Sequence, residues 1–301
     1  MIDVADRLHA NEVHTDVHLV RRLLEEQFPE WADLPVERHD TTGSDHVLYR
    51  LGDELVARLP RKARVDDQID KDRTWLPRLA PSLPCPVPVL LAKGPPGAGY
   101  PFSWSVCRWL EGDDVPAEGV DGEALAVDLA AFVRALGRIE SAAGPRVGLQ
   151  NFLRGAPLAL RDEATRAALA QLEGDIDTAA ATAAWDEALR APAWTGPPVW
   201  VHGDLTPENM LVRGGRLAAV LDFGCLGVGD PAVDVMVGWS VLSPEARAVF
   251  RAELGVDDAT WSRGRGWALS TGLIALPYYA ETHPPRAANA RFRILQVLAD
   301  A

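Results

Sequence analysis

The chain is poor in cysteine, lysine and long apolar runs, and each shortage narrows what it can be. Only three cysteines (Cys85, Cys107, Cys225) stand in 301 residues. An odd number without metal-ligand spacing argues against a disulfide framework or a cysteine-built metal site, and predicts reduced thiols in a cytoplasmic protein. No apolar stretch approaches the ~20 residues of a membrane span. The start, Met1-Ile2-Asp3-Val4-Ala5-Asp6, lacks the basic and apolar regions of a secretory signal. Lysine occurs only as Lys62, Lys71 and Lys93 among 30 basic residues, a bias that with the abundant alanine points to a GC-rich genome rather than to function. The net charge of −13 disfavours nucleic acid and anionic membranes as partners and suits a cationic ligand. That acidity is not concentrated in the last third of the chain, where 11 acidic residues face 9 basic ones. A hydrophobic content of 48% with 24% charge is that of a globular protein, and the length favours two lobes over one.

The chemistry concentrates in one stretch. His202-Gly203-Asp204-Leu205-Thr206-Pro207-Glu208-Asn209 is followed thirteen residues later by Asp222-Phe223-Gly224. Asp204 offers a carboxylate that can accept a hydroxyl proton, and Asn209 and Asp222 offer oxygens for a divalent metal. Val199-Trp200-Val201 reads as a short strand leading in. Met210–Arg213 and Leu217–Leu221, joined by Gly214-Gly215, read as a β-hairpin. Such a hairpin brings Asn209 and Asp222 side by side at its open end. Mg²⁺ takes one or two protein oxygens and fills the rest of its shell with water and phosphate, so spacing and metal chemistry agree. Read singly, Asp204 is also a plausible turn residue before Thr206-Pro207, and Asp-Phe-Gly is a weak tripeptide.

Together the two fragments resemble the H-G-D-x-x-x-x-N loop and metal-binding aspartate of the aminoglycoside phosphotransferase family, small-molecule relatives of the protein kinases. Gly203 favours the small-molecule branch, since protein kinases usually carry Arg there. The resemblance runs from about Asp40 to His283 and is specific only in the catalytic third. It implies an α+β, protein-kinase-like two-lobed fold: a small antiparallel-sheet lobe over residues 1–110, binding nucleotide and ending in a hinge, and a mainly helical catalytic and acceptor lobe over 111–301. It also implies ATP or GTP as donor with Mg²⁺, Asp204 as general base, Asn209 and Asp222 as metal ligands, and His202 as a buttress. Asp230 and Asp234 match positions that brace the catalytic loop.

In the first lobe, Val13 to Gln27 reads as a helix. Thr41–His46 precedes two strand-like runs, Val47–Leu51 and Leu55–Leu59. The resemblance assigns phosphate contact to Gly43 and Ser44, although a plain turn would read the same. Arg58 stands where kinases have the lysine that contacts the α/β-phosphates, with Lys62 as the alternative. Alternation puts Val56, the expected roof for adenine, on the same face as Arg58. The partner carboxylate is expected on a helix from Asp66 to Leu79, at Asp72, with Asp70 as the alternative. Residues 81–101 are too rich in proline for a helix and should thread between strands. Trp104–Leu110 reads as the hinge strand, where the resemblance places Cys107 behind adenine and Arg108 and Leu110 as backbone contacts. Leu211 and Leu221 would form the apolar floor.

The second lobe should be helical, with the stripe Leu125, Leu129, Phe132, Val133, Leu136 and Ile139 buried on one of its helices. Tyr278, Tyr279 and Glu281 fall near the expected acceptor site and would suit an amino sugar. The function implied is transfer of a γ-phosphoryl group to a hydroxyl of a small molecule, an aminoglycoside-like antibiotic or amino sugar, with antibiotic resistance as the outcome. A macrolide, a sugar, choline or another metabolite remains open as acceptor, and so does a weakly catalytic nucleotide-binding regulator. The residues carry no signal for oligomeric state.

Overall fold

A computed structural model describes residues 13–39, 46–61, 66–117, 120 and 122–300. The chain divides into two units, Met1–Pro81 with Val87–Glu111, and Ser82–Pro86 with Gly112–Ala301. The division falls after Glu111, where a boundary after residue 110 was expected. Ser82–Pro86 joins the second unit, in which the Pro86 carbonyl accepts the Val220 N–H (3.2 Å).

The first unit is an antiparallel sheet of β1 (Val36–His39), β2 (His46–Leu51), β3 (Leu55–Pro60), β4 (Leu90–Gly94) and β5 (Trp104–Arg108), in the order β1-β2-β3-β5-β4. Alternation assigns its two faces. Val47, Tyr49 and Leu51 of β2, Leu55, Ala57 and Leu59 of β3, and Trp104 and Val106 of β5 pack against Leu19, Val20, Leu23 and Leu24 of helix α1 (Val17–Gln27). Val56 and Arg58 therefore point to the other face, and the register sets Val56 opposite Cys107 and Arg58 opposite Ser105. Helix α1 starts at Val17 rather than Val13, because Asp16 caps it by accepting the Leu19 N–H at 2.7 Å. Helix α2 (Asp66–Leu79) lies where expected. The proline-rich stretch carries the edge strand β4, which Pro88 and Pro95 flank without interrupting.

In the second unit β6 (Asp113–Asp114), β8 (Met210–Arg213) and β9 (Arg216–Val220) form one small sheet, and β7 (Val199–Val201) pairs antiparallel with β10 (Gly227–Gly229). The β8–β9 hairpin turns at Gly214 and Gly215, both at positive φ (56° and 76°), the conformation of a tight hairpin turn. The helices are α3 (Glu123–Arg138), α4 (Asp162–Gln171), α5 (Thr178–Arg190), α6 (Ala232–Val235), α7 (Val237–Ser240), α8 (Pro244–Leu254), α9 (Asp258–Tyr279) and α10 (Pro284–Ala299). The predicted stripe of α3 is buried from Leu125 to Leu136. The helical stretch after Pro231 is broken at Met236 into α6 and α7. Helix α9 is buried over much of its circumference. Neighbours approach it closely at its glycines: a Cβ on Gly264 would lie 2.6 Å from Val235, and one on Gly266 2.6 Å from Ala188. No helix among the described residues is long and apolar enough to cross a membrane.

Candidate active site

Strand β7 delivers the chain directly into the His202–Asn209 loop. His202 is fully buried and bridges two parts of the site. Its Nδ1 accepts the Asp204 N–H (3.2 Å) and its Nε2 lies 2.9 Å from the Leu221 carbonyl. That pairing assigns the ring proton to Nε2. The ring also meets Phe223 edge-on at 4.6 Å. Gly203 has φ +83°, and a Cβ there would lie 2.9 Å from both Arg154 Cβ and the Cys225 carbonyl oxygen. Backbone conformation and crowding both exclude a side chain at this position. The buried Asp234 carboxylate spans the same turn, accepting the N–H of His202 (2.8 Å) and of Gly203 (2.7 Å). Burial pushes its carboxyl above the usual range, with His202 and the two N–H groups pulling the other way. Asp230, expected to share this bracing, is used differently: it accepts the Ala232 N–H and forms a buried pair with Arg263 (2.8 Å) that ties α9 to the core.

The β8–β9 hairpin brings the backbones at its open end together, Met210 pairing with Val220. Asn209 Nδ2 donates to the Asp204 carbonyl (2.9 Å) and to Asp204 Oδ2 (3.2 Å), which leaves the amide oxygen on the opposite side. The Leu221 N–H donates to the Asn209 carbonyl (2.8 Å), so Asp222 begins beside Asn209. Asp222 itself adopts φ +50°, a left-handed conformation that Asp tolerates better than most residues, with Oδ1 accepting the Gly224 N–H (3.0 Å). Among the described residues no cluster of three or more His, Cys, Asp or Glu forms a protein-only metal cage. One amide oxygen and one carboxylate instead suit a hard cation that completes its shell with phosphate and water.

The surroundings of Asp204 contain residues that sequence reasoning did not find. Arg154 Nη2 lies 3.3 Å from Asp204 Oδ1, and its Nη1 donates to the Gly203 carbonyl (3.1 Å). Arg286 pairs with Glu208 (3.3 Å) and donates to the Tyr279 hydroxyl (2.9 Å). Burial depresses Arg286, but Glu208, Tyr279 and Asp204 outweigh it and hold the guanidinium above its usual range. Burial lowers Arg293 to about 10 against the opposing pull of Glu208 and Asp204, and among the described residues no carboxylate pairs with it. Thr206 is buried and its hydroxyl makes no hydrogen bond among the described residues. None of these arginines sits in a recognisable local pattern. Of the aromatics expected near an acceptor, Tyr279 joins the Arg286 cluster, while Tyr278 is largely exposed.

In the first unit Arg58 and Asp72 are both buried, with Nη1 and Oδ2 3.8 Å apart. Asp70 pairs instead with Lys93 (2.9 Å) and Arg73. Cys107 is buried beside Val56 on the face that carries Arg58, and burial pushes its thiol up. Arg108, the last residue of β5, is exposed, and Leu110 is half-buried. In the second unit Leu211 and Leu221 are half-buried, and Leu211 packs where a Cβ on Gly112 would meet it at 2.6 Å. Gly43, Ser44 and Lys62 lie outside the described residues.

A sequence profile described as the phosphotransferase enzyme family matches residues 38–267. The chain belongs to that family. As a phosphotransferase it also shares its fold with solved enzymes. The GDP and kanamycin complex of an APH(2") enzyme superposes with a TM-score of 0.72 at 20% identity, covering 95% of this chain and 99% of that one. The macrolide 2'-phosphotransferase MphH from Brachybacterium faecium gives 0.62 at 24% identity, covering 91% and 97%. ADP-bound APH(2'')-Ib gives 0.57 at 14% identity, covering 93% and 100%. No curated protein sequence matches significantly. This phosphotransferase has a kinase-like α+β fold and is an enzyme of the small-molecule kinase class.

Proposed function

We propose that the enzyme transfers the γ-phosphoryl group of ATP or GTP to a hydroxyl of a small molecule, with Asp204 as the base. The observation that carries this reading is the Asp204–Asn209–Leu221 linkage. It joins the Asp204 carboxylate to the Asn209 amide and the Asn209 backbone to the residue before Asp222, which supports a base next to a metal-binding pair. The donor set of Asn209 and Asp222 fits Mg²⁺, which when bound would neutralise charge on the phosphates. Asn209 orients its own oxygen by donating to Asp204. Asp204 aligns the acceptor hydroxyl and takes its proton as the phosphoryl group leaves. His202 and Asp234 hold the loop in place. Little covalent chemistry is asked of the protein, so placement and charge do most of the work. Among the first unit's residues, Val56, Cys107 and the backbone at Arg108 and Leu110 take the nucleobase. Gly43, Ser44, Arg58 and its partner Asp72 serve the phosphates.

For the acceptor, similarity to enzymes named for aminoglycosides supports an aminoglycoside-like antibiotic or amino sugar, and hence a role in resistance. A second reading, a macrolide or another acceptor with few ammonium groups, draws on the guanidinium groups of Arg154, Arg286 and Arg293 around Asp204, since like charges oppose a polycation. Assaying ADP or GDP release with purified protein and a panel of aminoglycosides, macrolides and sugar alcohols separates the two. With the acceptor that responds, Asp204→Asn should lower kcat by ~10²–10⁴-fold with nucleotide affinity retained. Near-normal turnover in that variant would remove Asp204 from the role of base.

A further inference from the structure

The stretch Gly148–Gly155 is unusual in its backbone. Phe152 (φ 57°) and Leu153 (φ 60°) are consecutive bulky residues in the left-handed region, followed by Gly155 at φ 84°. Such conformations are unfavourable for L side chains and persist only where surrounding bonds over-determine them. Those bonds are present. Asn151 Oδ1 accepts the Gly148 N–H (2.9 Å), and its Nδ2 donates to the carbonyls of Arg154 (2.9 Å) and Cys225 (3.1 Å). The Leu153 N–H reaches the Gly148 carbonyl (2.8 Å), and the Asp230 N–H reaches the Gly155 carbonyl (2.8 Å). Asn151 is 1% exposed and ties the turn to the segment after Asp222.

The outcome of this construction is the direction of one side chain. Arg154 spends Nη1 on the Gly203 carbonyl (3.1 Å) and sets Nη2 against Asp204 Oδ1 (3.3 Å), two points on one loop that fix the guanidinium plane. The other carboxylate oxygen, Oδ2, accepts from Asn209 Nδ2 (3.2 Å). From His202 to Asn209 the loop contains no lysine or arginine of its own. We propose that Arg154 is a positioning residue for Asp204: the strained turn exists to deliver the cation that the catalytic loop lacks, and the carboxylate rotamer is set by Arg154 on one oxygen and Asn209 on the other. This rests on the reading of Asp204 as base. Misplacing a reacting group by about 1 Å can cost ~100-fold in rate, so the expected effect is on turnover rather than on binding.

The test compares Arg154→Gln and Arg154→Lys with the wild-type enzyme. Crystal structures read the Asp204 rotamer, steady-state kinetics read kcat and acceptor KM, and titration with ADP and Mg²⁺ reads nucleotide affinity. In Arg154→Gln, Asp204 should leave the wild-type rotamer, and kcat should fall by ~10- to 100-fold. Acceptor KM and nucleotide affinity should stay within about threefold of wild type. The lysine variant, which keeps the charge and one of the two contacts, should recover part of kcat. An unmoved Asp204 with unchanged kcat overturns the proposal, and so does a raised acceptor KM with intact kcat, which would make Arg154 an acceptor contact. Should the glutamine variant fail to fold, the lysine variant decides by the same rotamer and kcat readings. If wild-type protein is inert toward every acceptor, the functional reading falls, while the Asp204 rotamer still tests the positioning.

Discussion

Replacing Asp234 with asparagine keeps the size of the side chain and removes one acceptor from the turn that carries the proposed base. In the wild-type protein each carboxylate oxygen serves one backbone N–H, that of His202 at 2.8 Å and that of Gly203 at 2.7 Å, with the residue 1% exposed. The amide can serve only one of them and presents an NH₂ group to the other. A hydrogen bond to a charged acceptor contributes ~1.5–3 kcal/mol, and stranding a buried N–H costs a further ~1–3 kcal/mol. Part of this is returned, because burial disfavours the Asp234 carboxylate and the neutral amide escapes that penalty. The net loss should be roughly 2–4 kcal/mol, set against a typical total of ~5–15 kcal/mol, so the variant should fold but unfold at lower urea. Tryptophan fluorescence reads the transition, since Trp200 adjoins the turn. With Gly203 released on one side, kcat should fall by about tenfold or more. A stability change below ~0.5 kcal/mol with kcat unchanged would refute the view that Asp234 holds this loop.

Four further outcomes are expected. Gly203→Ala places a Cβ 2.9 Å from Arg154 and the Cys225 carbonyl oxygen at φ +83°; it should cost ~1–3 kcal/mol in thermal or chemical denaturation and depress turnover. Arg263→Met leaves Asp230 as an unpaired buried carboxylate and should destabilise by ~3–5 kcal/mol, with part of the loss recovered when Asp230→Asn is added; equal stability of the single and double variants would contradict this. Burial, helped by Arg58 and Arg61, holds His46 well below the usual imidazole range. The unfolded chain therefore takes up a proton near pH ~6.5 that the folded chain refuses, so the stability from this group is present above that pH and is lost below it, by up to ~1.4 kcal/mol per pH unit. Denaturation from pH 7.5 to 5.5 should show a shallower slope in His46→Gln, and parallel curves would exclude the effect. Asp222→Asn should weaken Mg²⁺-dependent nucleotide binding by ~10-fold or more while leaving metal-free binding unchanged, read by titration with and without the cation.

The sequence alone determined whatever depends on neighbours along the chain. Alternation in Val47–Leu51 and Leu55–Leu59 was enough to put Val56 and Arg58 on one face, because a strand has only two. Gly214-Gly215 between apolar runs determined the hairpin that draws Asn209 toward Asp222. Proline density read less well: it excluded a helix over 81–101 but hid β4, since prolines that flank an edge strand look the same in sequence as prolines that prevent one. The break at Met236 was equally hidden, because the run from 232 to 242 is apolar enough for an unbroken helix. Tertiary structure alone decided which charges meet. Arg154 reaches Asp204 across fifty positions, Arg263 reaches Asp230 across thirty-three, and Arg286 reaches Glu208 across seventy-eight. In a chain with 30 basic residues no local pattern marks which of them turns inward. The choice is made by how the helices pack and by the left-handed turn at Phe152 and Leu153, a conformation that neither residue favours by itself and that only the surrounding hydrogen bonds sustain.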